Sequence, residues 1–314
     1  MGGVGVILNR NAGKKVPFRG QVGQKLGFVL GDPDSLRETS HIDQIDDVIR
    51  SFHERRIDIL GISGGDGSNH YVLDACQRIY ASDPFPRIAF LCGGTHNAHA
   101  LSVGVKGTPE RLLQNIVRKY HTRARFDLAQ RVLLRVDDGV QVRHGFSMAT
   151  GFMFRFYQEL VQRQDDSTLK VAGLMATWIG SLLTGGRRMR RIFALQPARI
   201  ALSGQPFPWR QTNGISISSM EKLGLGFTPY PRASEEPTTF QVGIYKGKPI
   251  GFVPMLWSFQ AGRVPRHPDF FADIADRVEF ETDRSISYVF DGELFEGGRR
   301  LEVSAVRQLE IIVG

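Results

Sequence analysis

Cysteine is nearly absent: the 314 residues hold only Cys76 and Cys92. Two thiols give no disulfide framework, so the fold must rest on a buried core, and a reducing cytoplasm is the expected location. Long apolar runs are missing as well. The most membrane-like segment, Val171 to Leu183, is too short to span a bilayer and carries Gly173, Thr177, Gly180 and Ser181. Met1 to Gly13 lacks a charged start followed by a continuous apolar core, so no secretory signal is expected. Gly2 follows Met1, but Val6 stands where N-myristoylation wants Ser or Thr. Internal repeats and low-complexity tracts are also lacking. These absences describe a soluble protein, or at most a peripheral one at the inner membrane face.

The composition that remains is ordinary for a globular chain, with 41% apolar and 23% charged residues, which excludes a disordered protein. Its length fits one large domain or two ordinary ones. A net charge of +8 and a pI near 9.7 favour an anionic partner. A nucleotide, an anionic membrane and nucleic acid all qualify, so charge alone does not choose.

The first third alternates strands and helices. Val4 to Leu8 reads as a buried strand ending in the polar loop Asn9 to Lys15, and Ile42, Ile45, Val48, Ile49 and Phe52 repeat with helical spacing after Thr39-Ser40 as caps. The strand Ile57 to Ile62 stops in Ser63-Gly64-Gly65-Asp66-Gly67-Ser68-Asn69, and a helical pattern follows from Asn69. Ile88 to Leu91 stops in Gly93-Gly94-Thr95-His96-Asn97, and a helix over Glu110 to Tyr120 closes the region. This rhythm predicts a Rossmann-like parallel sheet over residues 1–125, with its loops at the strand carboxyl ends. Beyond Phe126 the pattern becomes antiparallel. Val132 to Val136 and Val140 to Val142 flank Asp138-Gly139, a hairpin signature. Further strands are expected over Ile200–Leu202, Gly214–Ser218, Phe240–Tyr245, Arg277–Glu281, Ser285–Phe290, Leu301–Val303 and Leu309–Val313. Helices are expected only over Tyr157–Gln164 and Leu169–Leu183. Residues 126–314 therefore read as a β-sandwich, its C-terminal residues free to pack back on the first domain.

A strand that ends in three glycines and one aspartate has given up packing for backbone geometry. Glycine lets main-chain N–H groups approach a ligand, and the following helix start adds its positive end. Gly64, Gly65, Gly67 and Ser68 are thus candidates to hold phosphate. Asp66 would engage a cation, orient an acceptor or take a proton. The plain structural readings stand beside these: a solvated turn for Asn9 to Lys15, a helix cap for Thr95 and Asn97, and a hairpin turn for Asp291-Gly292. His96 and His99 lack a Cys or carboxylate partner and are not expected to bind metal. Arg187 to Arg191 reads either as a docking patch for anionic lipid or as a solvated basic loop, and no aromatic platform marks it for nucleic acid.

Taken in order, Asn9-Arg10-Asn11-Ala12-Gly13-Lys14, Gly64-Gly65-Asp66-Gly67-Ser68, Gly94-Thr95-His96-Asn97 and Phe290-Asp291-Gly292-Glu293 resemble the motifs of the diacylglycerol kinase-like lipid kinases. That family includes the sphingosine and ceramide kinases and is a fold relative of NAD kinase. The resemblance spans nearly the whole chain. It implies an N-terminal α/β catalytic domain, a mainly antiparallel C-terminal sandwich, and an interdomain cleft using ATP and Mg2+. It also implies a hydroxyl of a lipid-like acceptor, such as a diacylglycerol or sphingoid base, as the target. Asn9, Gly13, Lys14, Thr39, Gly64, Gly65, Asp66, Gly67, Ser68, Asn69, Thr95 and Asn97 would bind nucleotide, with Asp66 also near magnesium. Glu293, with Asp291, becomes the favoured base and Asp66 a rival. Ser68 replaces the family threonine and keeps its hydroxyl. His70, Tyr71 and Val72 stand where a glutamate is usual after the loop. Ala98 replaces an aspartate, and Pro229 to Phe240 lacks the Asp-Gly of the structural magnesium site of some bacterial members. The alternatives are an NAD kinase- or phosphofructokinase-like enzyme, and a non-catalytic lipid- or nucleotide-binding homologue. A nucleic-acid partner is not expected, and the oligomeric state is open, a homodimer included.

Overall fold

Val4-Gly5-Val6-Ile7-Leu8 is buried on both faces, as a central parallel strand must be, and forms most of β1 (Val4–Asn9) in a computed structural model of the chain. The structure describes residues 2–12, 22–94, 97–162, 177–178, 180–182, 186–223 and 227–313. The chain divides into two units, Met1–Arg131 with Gln308–Gly314, and Val132–Arg307.

In the first unit, β1 pairs in parallel with β2 (Leu36–Thr39) on one side and β3 (Ile59–Ser63) on the other. Strand β4 (Arg87–Phe90) continues the sheet in parallel beyond β3. Helices α1 (Val22–Leu30), α2 (Gln44–Glu54), α3 (Asp66–Tyr80), α4 (Ala98–Ser102) and α5 (Pro109–His121) complete this unit. Leu26 of α1 and Leu113 and Ile116 of α5 join the core with Val4, Val6, Ile59 and Ala89. Neither α1 nor β2 was marked by a sequence signal. The expected Thr39-Ser40 cap is corrected: Thr39 ends β2, and the Gln44 side chain instead accepts from the Ser40 and His41 amides at 2.8 and 3.2 Å. Helix α3 begins at Asp66 rather than Asn69, so the aspartate lies in its first turn. Helix α5 is capped by Thr108 and has Pro109 at its first position, a start that proline suits.

The second unit is a two-layer antiparallel sandwich. It receives most of β5 (Leu128–Asp137) and contains β6 (Val142–Gly145), β7 (Ser147–Thr150), β8 (Gln196–Pro197), β9 (Arg199–Leu202), β10 (Gln205–Pro206), β11 (Gln211–Thr212) and β12 (Gly214–Ser218). Then come β13 (Phe240–Tyr245), β14 (Phe270–Ala275), β15 (Arg277–Glu281), β16 (Ser287–Phe290), β17 (Glu293–Glu296) and the first half of β18 (Arg300–Ile312). One layer runs β14-β13-β12-β7-β16-β17, all antiparallel. The other includes β10-β9-β15-β18, also antiparallel. Val132, Leu134 and Val136 from β5, Ile215 and Ile217 from β12, Val242 and Ile244 from β13 and Leu301 and Val303 from β18 fill the space between the layers.

Three expectations are corrected in this unit. Leu301–Val303 and Leu309–Val313 belong to one strand, because Ser304 to Gln308 between them keep an extended backbone although none of them is fully buried. Helix α6 begins earlier, at Phe152, and runs to Gln162. A helix over Pro249–Gln260, α8, went unread; α7 (Arg187–Ile192) precedes it. The expected Leu169–Leu183 helix lies mostly outside the described residues, with helix at 177–178 and 180–182.

Candidate active site

The strand order β4-β3-β1-β2 sends β2 to one side of β1 and β3 to the other. Ligands of such open parallel sheets bind at the carboxyl ends of the strands beside this reversal. The residues found there are the glycine-loop residues and Asn9. The Asn9 amide donates to Ser68 Oγ at 2.8 Å, tying the end of β1 to the first turn of α3. Its own Oδ1 accepts from the Asn11 amide at 2.8 Å, so the side chain is fixed from both ends. Thr39, buried at the end of β2, pairs with Asn9 in register, and its carbonyl accepts from the Arg10 amide at 2.9 Å.

The glycines after β3 and β4 serve a second purpose that the motif did not announce. A Cβ on Gly94 would land on the Gly65 Cα, and one on Gly93 would sit 2.8 Å from the Gly64 nitrogen. Two loops from adjacent strands therefore touch backbone to backbone. Asp66 fastens them: its carboxylate accepts from the Ala98 and His99 amides at 2.9 and 3.0 Å. The carboxylate thus caps α4 while standing in the first turn of α3. Asn97, in the left-handed region at φ 50°, closes its own loop through Gly94 N–H to Oδ1 and its Nδ2 to the Gly94 carbonyl, both 2.9 Å. Asn69 is buried and lies 3.4 Å from His99 Nδ1, beneath the loop rather than in it. The Cys92 thiol is pushed up, first by burial and then by the Asp66 charge.

The amides of Asp66, Gly67 and Ser68 begin α3, where no intrahelical carbonyl can reach them. They sit at the positive end of a 15-residue helix, beside a loop whose packing requires glycine. Free amides at a positive helix end are an arrangement that can accept an anionic group. Gly13, Lys14 and Thr95 lie outside the described residues. Among the described residues no group of three His, Cys, Asp or Glu side chains could hold a metal ion unaided.

Asp291 and Glu293 belong to the second unit. Phe290 pairs with Glu293, so Asp291-Gly292 is the two-residue turn between β16 and β17, with φ of 47° and 89°. Paired positive φ values favour Asp-Gly here. The Asp291 carboxylate is buried and accepts from the Phe146 amide at 3.0 Å and the Ser147 amide at 2.8 Å, locking the turn onto β7. Glu293 follows at the start of β17, half-buried. The two acids of the motif thus stand in different environments.

The second unit also holds a cavity of about 260 Å³. Phe152 and Phe156 of α6, Phe193, Tyr245 of β13 and Phe252 and Leu256 of α8 are among its walls. Among the described residues its polar side chains are those of Trp178, Ser216, Tyr230, Gln241 and Tyr245, and none of its lining side chains is charged. Sequence reasoning missed it because its walls come from three helices, one unread, laid over a sheet face.

Residues 4–129 match the model of the diacylglycerol kinase catalytic domain. No curated protein matches the chain in sequence. Solved structures from Bacillus anthracis str. Sterne, each named for a diacylglycerol kinase, share the fold over 99% of this chain and 97% of theirs. Two are 14% identical with TM-scores of 0.70 and 0.67, and a third is 16% identical at 0.70. With the glycine loops placed where the sheet reverses, residues 4–129 are similar to a diacylglycerol kinase catalytic domain, and the chain as a whole shares the fold of these structures.

Proposed function

We propose that this protein transfers the terminal phosphoryl group of ATP, with Mg2+, to a hydroxyl of a lipid-like acceptor such as a diacylglycerol or a sphingoid base. The observation that carries the acceptor class is the uncharged, largely aromatic cavity. A dinucleotide or sugar phosphate would need charged partners, and none is among the described residues that line it. An apolar cavity of about 150 Å³ holds benzene. On that scale 260 Å³ suits an acyl segment on the order of ten carbons.

The amides of Gly64 to Ser68 would hold phosphate oxygens, with Asn9, Thr39 and Asn97 around them. Magnesium would come with the phosphates, which normally supply much of its coordination. Asp66, with both oxygens accepting amides, keeps further lone pairs for a metal-bound water while fixing the cradle. Glu293 takes the acceptor proton, and Asp291, held by two backbone amides, is the positioning residue that sets the turn before it. Proton removal by a placed carboxylate is worth roughly 10²–10⁴ in rate. The reading suits a cytoplasmic enzyme that meets its acceptor at a membrane.

The experiment offers labelled ATP with a diacylglycerol, sphingosine, NAD and fructose 6-phosphate in parallel. Label should appear on a lipid, and Glu293→Gln should lower that rate by about 10² or more while ATP binding persists. Label on NAD or the sugar would overturn the acceptor class. ATP binding without transfer to any acceptor would identify a non-catalytic homologue instead.

A further inference from the structure

Helix α8, Pro249-Ile-Gly-Phe-Val-Pro-Met-Leu-Trp-Ser-Phe-Gln260, carries no charged residue. Its inner face is accounted for: Met255 and Phe259 are buried in the aromatic cluster of the second unit, and Phe252 and Leu256 line the cavity. The outer face is apolar too. Ile250, Pro254 and Trp257 recur at helical spacing, with Ile250 56% and Trp257 73% exposed. Apart from Ser258 and Gln260 near its end, the helix has no polar side chain to give to water, and a helix apolar on nearly every face is normally buried. Exposed contiguous apolar surface marks a binding face.

Its flanks indicate what covers it. From Lys246 to Pro268 the chain has Lys246, Lys248, Arg263 and Arg266 and no acidic residue. Lys248, Arg263 and Arg266 are exposed. A second copy seated symmetrically on this face would bring those cations against their own equivalents. An anionic bilayer offers the complement: acyl chains for the apolar ridge and headgroups for the flanking cations. Twelve residues of helix measure about 18 Å, too short to cross the hydrocarbon. No described helix is long and apolar enough to cross a membrane.

We infer that α8 is a membrane-docking element that lies in the surface of an anionic bilayer, with Trp257 and Ile250 as its inserted anchors. Tryptophan suits this depth, since its ring is apolar and its N–H meets the wet headgroup layer. Proline at 254 removes one helical donor, and the Ile250 carbonyl it would have served lies on the outward side, within reach of water or headgroups.

The test uses the full chain without nucleotide, so its result does not depend on the kinase reading. Vesicles of phosphatidylcholine alone and with added phosphatidylglycerol are sedimented with the protein while tryptophan emission is followed. Trp178 is buried and Trp209 stacks under Lys246 at 4.2 Å, so a blue shift should come from Trp257. Binding should require the anionic lipid, and brominated acyl chains should quench the emission. Trp257→Gln should weaken partitioning on the order of tenfold and abolish the shift, whereas Trp257→Phe should keep most of the binding. Unchanged far-ultraviolet dichroism would show that Trp257→Gln still folds, as its exposure implies. Absence of vesicle binding, or equal binding by Trp257→Gln, would overturn the inference. Self-association abolished by Trp257→Gln, without vesicle binding, would give this face to a second copy instead.

Discussion

Asp66 joins two loops through two amide hydrogen bonds, a task its amide analogue can only half perform. In Asp66→Asn one of the Ala98 and His99 amides would face an NH₂ group, leaving a donor unsatisfied at a local cost of about 1–3 kcal/mol. The proposed phosphate cradle should lose its shape, and phosphoryl transfer should vanish while the dichroism spectrum is kept. Cys92 reports on the same change. Its thiol is pushed up by burial and by the Asp66 charge, so neutralising that charge lowers its pKa. Alkylation of Cys92 should accelerate in Asp66→Asn, its rate profile moving to lower pH, while the fully buried Cys76 stays silent. An unchanged profile would show that the charge of Asp66 does not act on Cys92. The glycines were legible in the sequence as a strand-to-helix turn governed by backbone geometry, because only glycine allows such close approach. That Gly65 and Gly94 also touch each other was not legible, since no local pattern records which strands become neighbours.

Among the elements, the β5–β6 hairpin shows how a polar signature can conceal a buried charge. Asp138-Gly139 marks the turn from sequence alone, but the structure withdraws the Asp138 carboxylate from solvent completely. Burial by itself pushes this carboxyl up. Hydrogen bonds from the Tyr288 hydroxyl, the Gln141 and Val140 amides and Arg143 outweigh it and hold the carboxyl below its usual range. Tyr288 is 2.7 Å away and Arg143 2.6 Å, with the guanidinium 4.1 Å above the Phe295 ring. A carboxyl lowered in the folded state contributes stability that is complete above its unfolded pKa, near 4, and lost as pH falls through the folded value. Asp138→Asn should cost about 3–5 kcal/mol at pH 7, because Arg143 is left without its buried partner. The deficit should shrink below about pH 4 in denaturant titrations run as a pH series. A deficit that stays constant down to acid would mean the carboxylate is not the source. Strands β12, β13 and β15 were readable because each has apolar residues at a strand period between turn signals. Helix α8 was not, because apolar residues on every face erase the 3.6 period, and Gly251 and Pro254 read as breaks.

Over the whole molecule, the first unit is discontinuous in sequence. Its α/β character is legible from alternating strands and helices, yet the edge of its sheet comes from the last residues of the chain. Ile311 pairs with Ile88 in parallel, the Val313 amide donates to the Asp127 carbonyl at 2.9 Å, and Arg87 meets Glu310 at 2.8 Å. Leu309, Ile311 and Ile312 are each at most 4% exposed. Burying such side chains is worth about 1.5–3 kcal/mol apiece, so three supply about 5 kcal/mol or more. The exposed ion pair adds little beside that. A domain has only about 5–15 kcal/mol of stability in all. Removing residues 308–314 should therefore unfold the first unit while the Val132–Arg307 sandwich keeps its own core. Hydrogen exchange read by peptide should show β1, β3 and β4 losing protection together, with β12 and β13 unaffected. Restoring the segment with Ile311→Asp should fail in the same way, because its charge would enter a fully buried site beside Ile88. Restoring it with Glu310→Gln should recover protection, because that loss removes only a surface charge. If β4 stayed protected without residues 308–314, the final strand would be an accessory to the first unit rather than part of its core.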